Sequence, residues 1–212
     1  MRTLTKLFRC KWVPLRTVIM LLCSLFMMSA CSSGPAPKLY LLEPFDVDAG
    51  TIQLAKMSGI KSLGMSPVEL PGYASDVQIA SLKDDGTVNQ DDRNRWAEEP
   101  EEAITRLLSD RLRAHTEATV LIEPWPRDYE PMARVEVSFD KLLREPGGGA
   151  QMTGQILLLS GSGRKLLKAV PFSIRHIGFD TDSRVFFMAV AKGIDDIARM
   201  AVEEIQALKI KS

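Results

Sequence analysis

All three cysteines of this 212-residue chain, Cys10, Cys23 and Cys31, fall within its first 31 residues. The rest of the chain therefore cannot be stapled by an internal disulfide, cannot bind zinc through thiolates, and carries no thiol for catalysis or redox exchange. Residues 38–212 number 175, enough for one domain with a substantial core and short for two. Such a domain must stand on its hydrophobic core.

The segment that holds the cysteines has a pattern of its own. Arg2, Lys6, Arg9, Lys11 and Arg16 come with no acidic residue, and an apolar run follows from Thr17 to Met28. At 12 residues the run is too short for a spanning helix, which needs about 20, so residues 1–30 read as a signal peptide to be removed. Met28-Ser29-Ala30-Cys31 resembles a lipobox: an apolar residue, two small ones, then the cysteine whose thiol takes a diacylglycerol through a thioether. Cleavage frees the amine of Cys31 for a further chain. One acyl chain holds a protein only marginally, at about 0.8 kcal/mol per buried methylene, whereas several make dissociation negligible. Ser32 stands where an aspartate would retain such a lipoprotein at the inner membrane, so the expected location is the outer membrane, facing the periplasm. Residues 31–38, CSSGPAPK, form a lipidated tether, and residues 39–212 a single periplasmic domain.

Removing five basic signal residues from 27 leaves 22 against 27 acidic ones, a net of minus five. A mildly acidic domain of this kind has no electrostatic reason to bind nucleic acid and shows no polybasic lipid-binding patch.

Periodicity gives the elements. Leu39-Tyr40-Leu41-Leu42 reads as a first strand and residues 60–70 as a second, with Pro67 demanding an edge or a bulge. Pro71-Gly72-Tyr73 is a turn, Val77 and Ile79 mark a third strand, and the polar stretch Asp84–Asp92 reads as a solvated loop. Pro100 opens a helix with glutamates at its start, arginines toward its end, and one stripe of Ile104, Leu107, Leu108 and Leu112. A short strand at Val120–Ile122 follows. Alternation over residues 134–140, the apolar run Ile156–Leu159, and the Gly161-Ser162-Gly163 turn into residues 165–177 predict an antiparallel meander. The last segment sets Phe187, Ala191, Ile194, Ala198, Ala201, Ile205 and Leu208 on one seam, suited to packing on a sheet or to a coiled-coil partner, with Gly193 marking a bend. The fold class is α+β, a mostly antiparallel or mixed sheet with two amphipathic helices packed on it.

Catalytic constellations are hard to find. Beyond the signal only His115 and His176 are available as imidazoles, one ending a helix and one ending a strand, both read as structural. Gly161-Ser162-Gly163 lacks nucleophile-elbow spacing, the glycines at 147–149 and 154 make no phosphate cradle, and the 84–92 acidic stretch lacks a calcium-loop pattern. No enzyme, metal site or cofactor is expected. Trp96, Trp125 and the tyrosines could line a ligand or peptidoglycan groove, but read better as core edges.

Three stretches combine: Tyr40-Leu41-Leu42 after the anchor, Pro71-Gly72-Tyr73, and Arg95-Trp96-Ala97-Glu98 leading into the first helix. In this order, with a final amphipathic helix, they resemble the ABC-type transport auxiliary lipoprotein family across nearly all of the chain past the anchor. Glu99 is an insertion before Pro100 relative to the family's usual R-W-A-E-P, and residues 74–76 lack its leucine and arginine. The resemblance implies a non-catalytic accessory subunit of an envelope system that carries lipids between membranes with an MCE-domain transport protein. It implies docking of that protein's conduit at the outer membrane, and a homo-oligomer would suit a subunit surrounding a conduit. A small-ligand- or peptidoglycan-binding envelope lipoprotein is the alternative. For sites, Cys31 is the lipid attachment, while the family-motif residues Tyr40, Leu41, Leu42, Pro71, Gly72, Tyr73, Arg95, Trp96, Ala97 and Glu98 are read as structural.

Overall fold

The computed structural model describes residues 35–44 and 59–208, nearly all of them in the compact unit that starts at Pro37. Residues 1–30, read above as a signal segment, and Cys31 lie outside the described residues. Eight strands and two helices are described: β1 (Lys38–Tyr40), β2 (Ser62–Met65), β3 (Gln78–Leu82), β4 (Val88–Trp96), α1 (Pro100–His115), β5 (Thr119–Ile122), β6 (Ala133–Arg144), β7 (Ala150–Ser160), β8 (Leu166–His176) and α2 (Ser183–Ala207).

β6 is the spine of one mixed sheet. Its alternation buries Ala133, Val135, Val137 and Phe139 on one face, as the period-two pattern requires. Along one edge it pairs antiparallel with β7, which pairs antiparallel with β8, so the expected meander forms. Its other edge is shared: β2 runs parallel to its start, and β3 meets its end where Ser81 faces Arg144. β2 carries β5, while β3 carries β4 and β4 carries β1. Pro171 sits on β8, which pairs only with β7, where a missing N–H costs little.

Two segments differ from the sequence reading. Only Asp84–Gly86 of the polar stretch is a turn, with Gly86 donating to Lys83 O at 3.0 Å, and Val88 already begins β4. The strand was hidden because Val88, Asn89 and Gln90 are all exposed, so no apolar alternation marks it; pairing with β3 holds it in place. Residues 60–70 are likewise not one strand. β2 stops at Met65, and pairing with β6 resumes only at the Glu69–Ser138 bridge, leaving an extra residue on the β2 side. The bulge falls at Pro67, and the freed N–H of Val68 turns to Thr105 Oγ on α1 at 3.0 Å.

α1 starts at Pro100 and buries Ile104, Leu107, Leu108 and Leu112 completely. The α2 seam docks within the same molecule, against α1 and strands β6 to β8, rather than awaiting a coiled-coil partner. Each large apolar side chain buried there, such as Phe186, Phe187 and Ile194, contributes about 1.5–3 kcal/mol. Gly193 has a packing reason instead of marking a bend: a Cβ there would stand 2.0 Å from the Met152 methyl carbon of β7.

Candidate functional site at the aromatic corner

β1 is only three residues long, so hydrogen bonding alone holds it weakly. It lies parallel to the end of β4, with Tyr40 opposite Trp96, and Ala97 N–H donates to Tyr40 O at 2.8 Å. Strand alternation sends Leu39 and Leu41 outward, 63% and 56% exposed, and turns Tyr40 and Leu42 inward. Leu42 is fully buried. The Tyr40 ring stacks on Phe187 of α2 at 5.3 Å and 12°. Trp96 meets Phe187 edge-on at 4.8 Å and Phe186 at 6.0 Å, geometries that add to plain burial. The corner thus clamps the first strand to the last helix.

A polar chain fixes its rim. Tyr40 O–H donates to Asn94 Oδ1 at 3.2 Å, and Asn94 Nδ2 donates to Asp91 Oδ2 at 2.7 Å. Burial works against the Asp91 charge, yet hydrogen bonds from the Asn94 side chain and from the Arg93 and Asn94 backbone hold its carboxyl below the ordinary value. These bonds occupy the bulge in β4, where pairing with β3 shifts between Arg95 and Asp91.

The other motif residues are placed separately. Pro71 O accepts from Ala74 N–H at 2.7 Å to close the turn; Gly72 is exposed, and Tyr73 packs half-buried on the core. Burial pushes the Tyr73 phenol up, opposed by its hydrogen bond to the Leu142 backbone. Tyr73 joins none of the aromatic contacts of the corner. Arg95 pairs with Asp92 at 3.4 Å near solvent, Ala97 is exposed, and Glu98 pairs with Arg106 of α1. Glu99, the inserted residue, occupies the N-cap of α1 without a side-chain capping bond.

Sequence reading missed a charged cluster between the helices. Asp195 of α2 accepts from His115 Nε2 at 2.9 Å and faces Arg199 Nε at 3.4 Å and Arg111 Nε at 3.7 Å. The His115 hydrogen bond, then the His115, Arg111 and Arg199 charges, hold the Asp195 carboxyl below its ordinary value against the pull of burial. His176 donates to Asp196 at 2.9 Å. Both imidazoles are thus spent on tying α1 or β8 to α2. The available signal was the Asp195-Asp196 pair set between Ile194 and Ile197 in an otherwise apolar helix face.

Trp96 is buried in the corner and lines no open groove. Trp125 covers Gly64, whose Cβ would fall 2.6 Å from the ring, and carries Arg134 at 4.8 Å. An open groove of about 440 Å³ runs along Pro67, Val68, Glu101, Thr105, Arg106 and Ile122, without a tryptophan or tyrosine. Among the described residues no three His, Cys, Asp or Glu side chains gather as a metal-ligand set, and no helix is long and apolar enough to cross a membrane.

The arrangement defines a two-helix α+β scaffold in which two of the motif residues, Tyr40 and Trp96, join an aromatic clamp on β1, while Leu41, Gly72 and Ala97 face solvent. The chain belongs to the ABC-type transport auxiliary lipoprotein component family, whose pattern it matches over residues 40–201. That span begins at the clamp's own Tyr40. The fold is shared with a crystal structure of an uncharacterised protein at a TM-score of 0.65 and 16% identity, covering 81% of this chain and 99% of the other. It is also shared with XCC0632 from Xanthomonas campestris, of the DUF330 family, at 0.62 and 11% identity, covering 82% and 94%. No curated protein matches in sequence.

Proposed function

We propose that this protein is a non-catalytic accessory subunit of an MCE-type, ABC-driven intermembrane lipid transport system, held at the outer membrane by acyl chains on Cys31 and facing the periplasm. The observation that carries the reading is membership of the transport auxiliary lipoprotein family across residues 40–201. Its role is positional: lipid fixes one end, and the folded domain presents a surface to an MCE-domain conduit. A homo-oligomer around that conduit suits such a role.

The aromatic corner supports this division of labour. Any restraint applied through Cys31 reaches the domain through β1, and three strand residues with one neighbouring strand would peel easily. Tyr40 and Leu42, packed under Phe187 and Trp96, make that junction part of the core. No cofactor is needed, since energy for transport would come from other subunits.

The test is membrane fractionation of cells producing the native chain or Cys31→Ser. The proposal requires the native protein in the outer-membrane fraction, the variant released from it, and a leaky envelope in cells carrying only the variant. Identical fractionation of the two proteins would overturn the anchor.

A further inference from the structure

Three loops meet at one end of the sheet. β3 ends and β4 begins at the 83–87 hairpin; Ser81 near that hairpin faces Arg144, the last residue of β6. The β6–β7 turn, 145–149, comes directly after it, and an open recess lined by Leu82, Lys83, Asp84, Asp85 and Pro146 lies between turn and hairpin. The third loop, 177–182, joins β8 to α2 and locks onto the second. Gly148 takes φ +88° there, and a Cβ on it would stand 1.7 Å from Asp180 O; at Gly149 a Cβ would meet His176 O at 2.0 Å. The Arg144 guanidinium bonds Thr181 O, and Arg175 pairs with Glu145 at 2.6 Å.

This interlocked platform carries apolar side chains outward. Phe179 is 97% exposed and Ile177 66%, with Pro146 exposed in the adjoining turn. Phe179 thus holds its ring almost wholly in water while the backbone around it is tightly packed.

The direction of β1 bears on what covers it. β1 runs parallel to β4, away from the hairpin, so the N-terminal end of the domain at Lys38, opposite Asn94, faces the loop end. From the level of Arg95 to that of Val88 is roughly 13 Å, the four steps of β3 from Gln78 to Leu82, because the β4 bulge takes up the other residues. The seven residue steps from Cys31 to Lys38 reach at most about 25 Å. The chain thus leaves β1 toward the loop end, and a lipid on Cys31 keeps a bilayer within reach of that end.

We propose that the 177–182 loop is a second membrane contact, with Phe179 and Ile177 seated in the interface of a zwitterionic phospholipid leaflet. The inference rests on the lipid-anchor reading. Asp84, Asp85, Glu145, Asp180 and Asp182 stand against Lys83, Arg144, Arg175 and Arg184 around the patch, five acidic to four basic, a near balance that gives no attraction to an anionic surface and suits a zwitterionic one. Phenylalanine and isoleucine are side chains that a surface-bound segment buries at the boundary between headgroups and acyl chains. The contact would fix the tilt of the domain, which a flexible tether cannot.

The test uses the native lipidated chain, whose sole remaining cysteine is acylated, bearing Phe179→Cys labelled with an environment-sensitive nitrobenzoxadiazole dye. Arg164→Cys, in the β7–β8 turn at the far end, is the reference. On phosphatidylcholine vesicles, dye at 179 should shift to the blue and lose fluorescence to spin-labelled lipid, dye at 164 should do neither, and added phosphatidylglycerol should not strengthen the effect. Protein that floats with vesicles while dye at 179 stays in water overturns the second contact and leaves the anchor standing. Failure to float overturns both. A blue shift at 179 that grows with protein concentration in detergent without vesicles assigns the patch to a second copy and overturns the proposal.

Discussion

Trp96 touches the core, both α2 phenylalanines and, through backbone pairing, Tyr40, so its truncation should be among the most damaging single changes. Trp96→Ala is expected to cost about 3–5 kcal/mol, read by urea denaturation or a lowered melting temperature. An unchanged melting temperature with lost partner binding would make Trp96 an interface residue instead. Asp195 gives a pH prediction. Its carboxyl is held below its unfolded value, so the stability it adds is fully present above about pH 4 and is lost as pH falls through the folded value. Asp195→Asn should flatten the acid limb of melting temperature against pH; an unaltered limb would contradict the role given to the His115 contact. The aspartates were visible in the sequence, but His115 lies 80 residues away, and no local pattern announces a partner at that distance.

At the scale of elements, apolar periodicity was informative wherever an element buries a face. α1, β6 and α2 follow their stripes closely, because burial dictates both the stripe and the structure. β4 escaped since its first residues face solvent and its strand state comes from β3, a tertiary cause. Pro67 signalled its bulge correctly, yet not that the freed Val68 N–H would find Thr105. Gly193 separates two kinds of argument. Helix propensity alone predicts a gain of about 1 kcal/mol for Gly193→Ala. Contact with the buried Met152 predicts a loss, since overpacking costs about 1–3 kcal/mol. The atom met is the free end of a flexible side chain, so Met152 yields and Gly193→Ala should realise only part of the propensity gain, with more of it recovered when Met152→Ala is added; strict additivity in a double-mutant cycle would show that the helix does not depend on this close approach.

For the molecule as a whole, the family and the α+β class were legible because cysteine placement, spaced motif residues and periodicity all survive in a single sequence. The aromatic corner was legible only in pieces: Tyr40 and Trp96 stood out as motif residues, but Phe186 and Phe187, which join them, read merely as part of an amphipathic helix. The loop platform left no trace in periodicity, being made of backbone contacts between glycine turns. The central claim concerns partnership, and affinity purification of the membrane-extracted, lipidated protein with mass spectrometry of its companions tests it most directly. Recovery of an MCE-domain membrane protein in amounts comparable to the bait is the predicted result, and repeated recovery of the lipoprotein alone would contradict the account.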